Sequence, residues 1–237
     1  MIATALITLL ALMLVAIPVA AAMGVLGMVL GQMYAFLPVS RVAGEIAWTS
    51  SNEFLLVALP LFILLGELLL RSGLAEKMYE ALARWLSWLP GGLMHSNIAA
   101  CAMFAATSGS SVATAATVGT VALPQAARFG YNDRLFLGTL AAGGTLGILI
   151  PPSINMIVYA VLTNTSVPKL YLAGIFPGVL LALMFMGVVA IACAWRPEWG
   201  GRRVRSTFSA CVKGLVHLGP PLAIFLVVVG SIYAGLA

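Results

Sequence analysis

Two short stretches, Thr107-Ser108-Gly109-Ser110-Ser111 and Gly147-Ile148-Leu149-Ile150-Pro151-Pro152-Ser153, interrupt otherwise apolar segments of this chain. Lipid cannot hydrogen-bond a free N–H or C=O group. A backbone at membrane depth therefore leaves helical geometry only where protein or a wet cavity satisfies these groups. Two such breaks in one membrane protein are typical of the site at which a secondary transporter holds an ion or a solute.

The composition places the chain in a lipid bilayer. Hydrophobic residues make up 62% of the 237 residues and charged residues 8%, whereas soluble domains carry about a quarter charged residues. The net charge of +5 does not indicate nucleic-acid binding, because the basic residues lie in short loops between apolar stretches, where they set topology. The three cysteines have neither disulfide-framework nor metal-ligand spacing, and no cofactor is predicted.

The apolar N-terminal stretch, residues 2–37, is too long for one simple span. As a single helix it would measure about 54 Å, against about 30 Å for a hydrocarbon core. The Ile17-Pro18 step is the expected break. One long broken span and a tight hairpin both remain open.

The remaining sequence predicts an all-α integral membrane protein, a helical bundle with several spans. In residues 74–89 the charged Glu76, Glu80 and Arg84 fall on one helical face with apolar and Trp residues around the other. This pattern is typical of an amphipathic helix in the membrane interface. The apolar spans are predicted, in chain order, at residues 54–70, 135–163 (broken at the second stretch), 170–195 and 210–236.

Residues 93–127 are predicted to form a re-entrant helical hairpin. They are rich in Ala, Gly, Ser and Thr, which allow close helix packing, and a full crossing would leave two short arms joined at mid-depth. The basic loop around residues 196–213 is predicted to be cytoplasmic. Only a re-entrant hairpin also keeps the basic residues of 71–84 and 128–134 on that side.

We therefore expect three parts. Residues 1–89 contain scaffold-type spans and the interfacial helix. Residues 90–165 form a transport-type unit with the hairpin (93–127) and the broken helix (135–163). Residues 166–237 contain two further spans.

The two breaks offer oxygen ligands. The first carries hydroxyl groups, and Gly109 allows the backbone to turn its carbonyls inward. At the second, the two prolines lack N–H donors, so the carbonyls around Gly147 and Ile148 lose their helical partners. Ser153 is placed to cap the helix that follows. Hydroxyl and carbonyl oxygens suit Na⁺ without a carboxylate, although a seam of small residues that only packs helices would have the same composition.

Few ionisable groups lie within the apolar stretches. Glu67 is the only carboxylate well inside one, and its spacing from Arg71 predicts an interfacial ion pair. A serine hydrolase built on residues 108–111 with His95 would need a base within hydrogen-bond reach, yet about 13 helical residues, roughly 20 Å, separate them. A purely structural scaffold subunit would instead have unbroken helices through positions 108 and 150.

Four segments in the same order resemble the large membrane subunit (M, or DctM type) of the TRAP transporters, the tripartite ATP-independent periplasmic transporters. They are LPLFILLGEL (residues 59–68), SGSSVATA (108–115), GY (130–131) and LGILIPPSI (146–154). The resemblance implies a bacterial inner-membrane permease that takes up organic anions, C4-dicarboxylates or other carboxylates, with the sodium gradient as its driving force. It also implies an elevator motion of a transport domain that carries two helical hairpins.

The resemblance further implies a sodium site between the hairpin tip and the second break. The Na⁺ ligands carried over are Ser108, Ser111, Gly147, Ile150 and Pro151, the last three through carbonyl oxygens. The residues expected near the substrate are Ser110, Thr114, Ser153 and Asn155.

Family M subunits contain two related halves and are nearly twice this length. The chain is therefore expected to be the first half of an inverted-repeat, elevator-type transporter and not to transport alone. Its expected partners are the C-terminal half, a small four-helix Q-type subunit, a periplasmic binding protein, an organic anion and the bilayer. The identity of the anion is not indicated, because no Arg or Lys lies deep in a span.

Overall fold

The computed structural model describes residues 1–35, 39–202 and 208–235, and within these ranges the regular structure is entirely helical. Residues 203–207 of the predicted cytoplasmic loop, residues 36–37 of the N-terminal stretch and residue 236 of the last span lie outside them. The α-helices are α1 (Ile2–Leu14), α2 (Val19–Tyr34), α3 (Val39–Ser51), α4 (Ala58–Arg71), α5 (Leu74–Leu86), α6 (Leu93–Ser108), α7 (Ser111–Phe129), α8 (Asp133–Leu149), α9 (Ile154–Thr163), α10 (Val167–Trp195) and α11 (Phe208–Tyr233).

The chain divides into two compact units, residues 1–53 and residues 54–237. The three-part division made from the sequence remains a prediction. In the first unit, α1 ends just before Pro18 and α2 starts just after it. The hydroxyl groups of Thr4 and Tyr34 lie 2.7 Å apart, so the first turn of α1 meets the last turn of α2. Of the two possibilities left open by the sequence, the tight hairpin is the one observed.

The second unit contains the spans expected from the sequence. Among the described residues, three helical segments are long and apolar enough to cross a membrane: Phe54–Arg71, Val167–Trp195 and Ser209–Tyr233. A fourth crossing is formed if α8 and α9, which are bent by 40° at their break, act as one span. The predicted spans 54–70 and 170–195, and the described part of 210–236, thus coincide with apolar helices of spanning length, whereas 135–163 does so only if α8 and α9 act as one span.

The predicted helical hairpin is formed by α6 and α7. The backbone N–H of Leu93, at the start of α6, donates to the hydroxyl of Tyr131, just after α7, at 3.0 Å. The chain therefore leaves the hairpin beside the point at which it entered. The arms are about 24 and 28 Å long, and they turn at Gly109, which has a left-handed backbone with φ 64°.

Helix α5 is amphipathic, as predicted, but protein covers more of its apolar side than the interfacial reading implies. Met78 and Tyr79 are 1% and 2% exposed, whereas Glu76 and Glu80 are exposed. The Tyr79 hydroxyl donates to Oδ1 of Asn97 at 2.8 Å. Nδ2 of Asn97 donates in turn to the Thr139 hydroxyl at 2.9 Å. This buried chain of hydrogen bonds joins α5, α6 and α8.

Candidate functional site

The two breaks meet in the structure. The backbone N–H of Ile154, the first residue of α9, donates to the carbonyl of Gly109 at the hairpin tip at 3.3 Å. A Cβ atom at Gly109 would lie 2.8 Å from the carbonyl oxygen of Pro152. The tip of the hairpin is therefore docked directly on the break between α8 and α9, with no side chain between the two backbones.

Helix α8 approaches the tip just as closely. A Cβ atom at Gly147 would lie 2.9 Å from the backbone nitrogen of Ser111 and 3.1 Å from the carbonyl carbon of Ser110. One turn earlier, a Cβ atom at Gly144 would lie 2.8 Å from the Cβ of Ala115. Glycine is needed at these positions because any side chain would push the helix away from the tip.

Hydroxyl groups line the tip on its buried side. Oγ of Ser108 lies 3.2 Å from Oγ1 of Thr114, and the two residues are 1% and 0% exposed. The Thr114 hydroxyl donates to the Ser110 carbonyl at 2.6 Å. Oγ of Ser110 accepts from the Ala113 N–H at 3.3 Å and so caps α7. Oγ of Ser110 thus serves the helix end, whereas Oγ of Ser108 accepts from the Ser110 N–H at 3.4 Å and keeps one lone pair for a ligand.

The second break contradicts one expectation. Ser153 makes no side-chain cap to α9; its hydroxyl instead donates backwards to the Ile148 carbonyl at 2.9 Å. That carbonyl has no helical partner because Pro152 has no N–H, and the Ser153 hydroxyl takes the place of the missing donor. One of the two lone pairs of the Ile148 carbonyl is therefore occupied. The Gly147 carbonyl, whose helical partner would be Pro151, has no such replacement in the described part of the chain.

Four helix ends converge at this contact. The C-terminal ends of α6 and α8 carry partial negative charge from their carbonyls, and the N-terminal ends of α7 and α9 carry partial positive charge from their N–H groups. Among the described residues no group of three or more His, Cys, Asp or Glu side chains could hold a metal ion. The oxygens at the contact are neutral hydroxyls and carbonyls, which suit a hard monovalent cation at the carbonyl ends.

The structure therefore brings together most of the residues singled out from the sequence. Ser108, Ser110, Ser111 and Thr114 lie at the hairpin tip, and Gly147 lies against Ser110 and Ser111. Ile150, Pro151 and Ser153 lie in the break on which the tip is docked. Asn155 lies in the first turn of α9 with an exposed side chain. Its nearness to a substrate stays a prediction. Unbroken helices through positions 108 and 150, which a purely structural scaffold would have, are not observed.

Sequence reasoning missed how α10 supports the second break. A Cβ atom at Gly174 would lie 2.7 Å from the Leu149 carbonyl oxygen, and one at Gly178 would lie 2.9 Å from Cγ1 of Ile150. The Tyr171 side chain is fully buried, with its hydroxyl close to the Ser153 backbone. Among the described residues, that hydroxyl has no hydrogen-bond partner. The four-residue spacing of the two glycines was the available signal.

The other candidate groups lie elsewhere. Glu67 and Arg71 form the predicted ion pair at 2.6 Å, with side chains 47% and 79% exposed. Nε2 of His95 lies 2.7 Å from the Pro90 carbonyl at the base of the hairpin, at the opposite end of α6 from Ser108. His95, the base that the hydrolase alternative requires, is therefore not beside Ser108.

Comparison with known proteins identifies the family of the chain. The family model for the DctM component of the tripartite ATP-independent periplasmic transporters matches residues 6–237. The C4-dicarboxylate TRAP transporter large permease protein DctM of Pseudomonas aeruginosa is 38% identical over 188 residues, which cover 78% of this chain and 43% of the relative. The protein of the same description from Vibrio cholerae is 31% identical over 225 residues, 95% of this chain and 49% of the relative.

The ectoine TRAP transporter large permease protein TeaC of Halomonas elongata is 34% identical over 188 residues, 76% of this chain and 42% of the relative. The chain spans about half the length of the relatives it matches. These relatives are permease subunits of transporters and not enzymes. The family match covers nearly the whole chain, and the structure has apolar helices long enough to span a membrane and two broken helical segments that meet. The chain is therefore a multi-pass protein of the bacterial inner membrane and belongs to the DctM family of TRAP transporter large permeases.

Proposed function

We propose that this chain forms part of the membrane permease of a TRAP transporter that couples the uptake of organic anions to the sodium gradient. The observation that carries the proposal is the hydrogen bond from Ile154 to Gly109, which joins the two breaks into one site. In secondary transporters such broken helices hold the coupling ion with unwound carbonyls and helix C-termini.

The proposed sodium ligands are the hydroxyl oxygens of Ser108 and Ser111 with the carbonyl oxygens of Gly147, Ile150 and Pro151. Three features support this set. Ser108 is buried, and its hydroxyl oxygen keeps one lone pair besides the one that accepts the Ser110 N–H. The Gly147 carbonyl faces a proline instead of an N–H donor. The C-terminal ends of α6 and α8 both point their partial negative charge into the contact.

The proposed substrate is an organic anion, a C4-dicarboxylate or another carboxylate, bound near the N-terminal ends of α7 and α9. Those ends present N–H groups and partial positive charge to an anion. Ser110, Thr114, Ser153 and Asn155 are the side chains proposed to lie closest to it. The names of the relatives include both C4-dicarboxylate and ectoine. We therefore expect residues outside the contact between the two breaks to select the solute.

We further propose three protein partners for the complete transporter. They are the remaining half of the large permease, a small four-helix Q-type subunit and a soluble periplasmic binding protein. A relative from Oleidesulfovibrio alaskensis is described as the isethionate TRAP transporter permease protein DctMQ, a name that joins the large and small subunits. The binding protein would deliver the anion from the periplasmic side.

The test begins with the purified chain in detergent, titrated with NaCl at constant ionic strength against KCl while ²²Na⁺ binding is measured. We expect saturable Na⁺ binding that the combined Ser108→Ala and Ser111→Ala changes weaken at least tenfold. Ser231→Ala is the matched control, because that hydroxyl donates within its own helix to Val228 at 2.8 Å. In proteoliposomes with the complete permease and its partners, the same double change should remove the sodium dependence of anion uptake. Uptake that keeps its sodium dependence in the double variant would reject the site.

A further inference from the structure

A groove of about 560 Å³ lies between α5 and the C-terminal half of α7. Its volume falls within the range of small-molecule sites, roughly 300–1,000 Å³. The lining residues that matter here are Glu76, Glu80 and Arg84 of α5, and Val121, Pro124 and Arg128 of α7. The groove is thus a cleft with one wall from the interfacial helix and one from the hairpin.

This groove is separate from the proposed ion site. Gln125, another lining residue, lies 14 residues along α7 from Ser111, which corresponds to about 21 Å. The groove is therefore near the base of the hairpin, whereas the ion site is at its tip. Whatever occupies the groove does not depend on the proposed sodium site.

The groove contains charges of both signs. Glu76, Glu80, Arg84 and Arg128 contribute two negative and two positive charges, and Glu80 lies 3.6 Å from Arg84. In the part of the chain that the structure describes, neither Glu76 nor Arg128 has an ion-pair partner within 4.0 Å. A simple anion would meet two carboxylates here, and a simple cation two guanidinium groups. A ligand that carries an ammonium and a phosphate would match both walls.

The groove also lies where a lipid headgroup would be found. Arg128 lies in the last turn of α7, at the start of the basic segment 128–134, which its basic residues place on the cytoplasmic side. Trp85 and Trp88 of α5 are 38% and 69% exposed, as expected for side chains at the depth of the headgroups. Beyond the charged end, Val121 and Pro124 continue the groove as an apolar surface, along which an acyl chain can lie.

We propose that this groove binds one phospholipid with a primary-amine zwitterionic headgroup, as in phosphatidylethanolamine. The ammonium donates hydrogen bonds to the carboxylates of Glu76 and Glu80, and the phosphate accepts from the guanidinium of Arg128. A choline headgroup has no N–H to donate, and a glycerol headgroup has no cation for the two glutamates. The groove therefore selects among lipids through the amine.

The test uses native mass spectrometry of the purified chain from mixed micelles that hold equal amounts of phosphatidylethanolamine, phosphatidylcholine and phosphatidylglycerol. We expect one phosphatidylethanolamine to be retained at least fivefold over either competitor. Glu76→Gln should remove the preference over phosphatidylcholine, and Arg128→Gln should weaken retention of both zwitterionic lipids. Glu198→Gln and Arg134→Gln are matched controls, because these residues do not line the groove.

Equal retention of the three lipids would overturn the proposal, as would an unchanged preference in Glu76→Gln. Soluble glycerophosphoethanolamine forms a further arm. If it displaces the lipid at micromolar concentration, the ligand is a soluble phosphoamine and not a membrane lipid, and the proposal fails. Thermal unfolding of the Glu76→Gln and Arg128→Gln variants in phosphatidylcholine, compared with the two controls, confirms that each variant is folded.

Discussion

Ile154 and Gly109 are 45 residues apart in the chain, yet the N–H of Ile154 is hydrogen-bonded to the carbonyl of Gly109 at 3.3 Å. Each of these groups stands at an interrupted helix end that has lost a helical partner. The two interruptions thus satisfy each other inside the protein, which is the condition for leaving helical geometry at membrane depth. Changes that separate the two backbones should therefore affect stability and ion binding together.

Gly147→Ala tests this coupling. The added Cβ would lie 2.9 Å from the Ser111 nitrogen, so the hairpin tip must move away from α8. Overpacking of this kind costs about 1–3 kcal/mol, against a gain of about 1 kcal/mol from helix propensity. We expect a net loss of unfolding free energy and at least tenfold weaker Na⁺ binding.

The matched control is Gly138→Ala on the same helix, where an added Cβ would meet nothing within 4 Å. It should be neutral or stabilising by up to about 1 kcal/mol. Unfolding in sodium dodecyl sulfate mixtures and ²²Na⁺ binding provide the two readouts. Equal behaviour of the two alanine variants would show that the close approach of α8 to the tip has no role.

Tyr79→Phe tests the buried hydrogen-bond chain between α5, α6 and α8. The change leaves Oδ1 of Asn97 without its donor in an environment that water does not reach. We expect the free energy of unfolding to fall by about 1 kcal/mol. This value lies between the cost of an unsatisfied buried polar group in soluble proteins and the smaller hydrogen-bond energies found in membrane proteins. Tyr159→Phe is the control, because that side chain is 56% exposed. If Tyr79→Phe lowers the free energy of unfolding no more than this control does, the buried hydrogen bonds do not have the stabilising role described here.

The local chemistry of the breaks could be predicted from the sequence, because a left-handed glycine and two prolines interrupt a helix whatever surrounds them. The hydrogen-bond partner of each freed backbone group could not be predicted in this way. Ser153 looks like a cap for α9, but its hydroxyl satisfies the Ile148 carbonyl instead, a choice decided by the path of the chain through Pro151 and Pro152. The burial of Tyr171 behind the break likewise depends on how α10 packs, which no local pattern specifies.

The hairpin makes a clear prediction about sidedness. In a variant whose three cysteines have been replaced, Glu76→Cys and Arg134→Cys flank the hairpin at exposed positions. Because the hairpin returns to its starting side, both cysteines should react with a membrane-impermeant maleimide in inside-out vesicles and not in intact spheroplasts. Lys169→Cys, beyond the broken helix, should show the opposite pattern. Labelling of Glu76→Cys and Arg134→Cys from opposite sides would mean that residues 93–127 cross the membrane.

Tyr131 provides a prediction about pH. Its hydroxyl accepts from the Leu93 N–H at 3.0 Å, and its ring packs 5.5 Å from Phe136 between ring centroids. Burial raises the pKa of Tyr131 above its ordinary value of 10.0, although the hydrogen bond from Leu93 acts in the opposite direction. The residue lies in the turn between α7 and α8, outside the membrane-spanning segments.

Because the pKa of Tyr131 is raised in the folded state, the unfolded chain loses its phenolic proton first as the pH rises. The stability that the neutral hydroxyl contributes is therefore fully present below about pH 10 and is lost as the pH rises through the folded-state pKa. Tyr131→Phe should be less stable than wild type at pH 8, because the Leu93 N–H loses its acceptor. The difference in unfolding free energy should then shrink above pH 10, by at most about 1.4 kcal/mol per pH unit. Parallel pH profiles of the two proteins would show instead that Tyr131 ionises as easily in the folded chain as in the unfolded one.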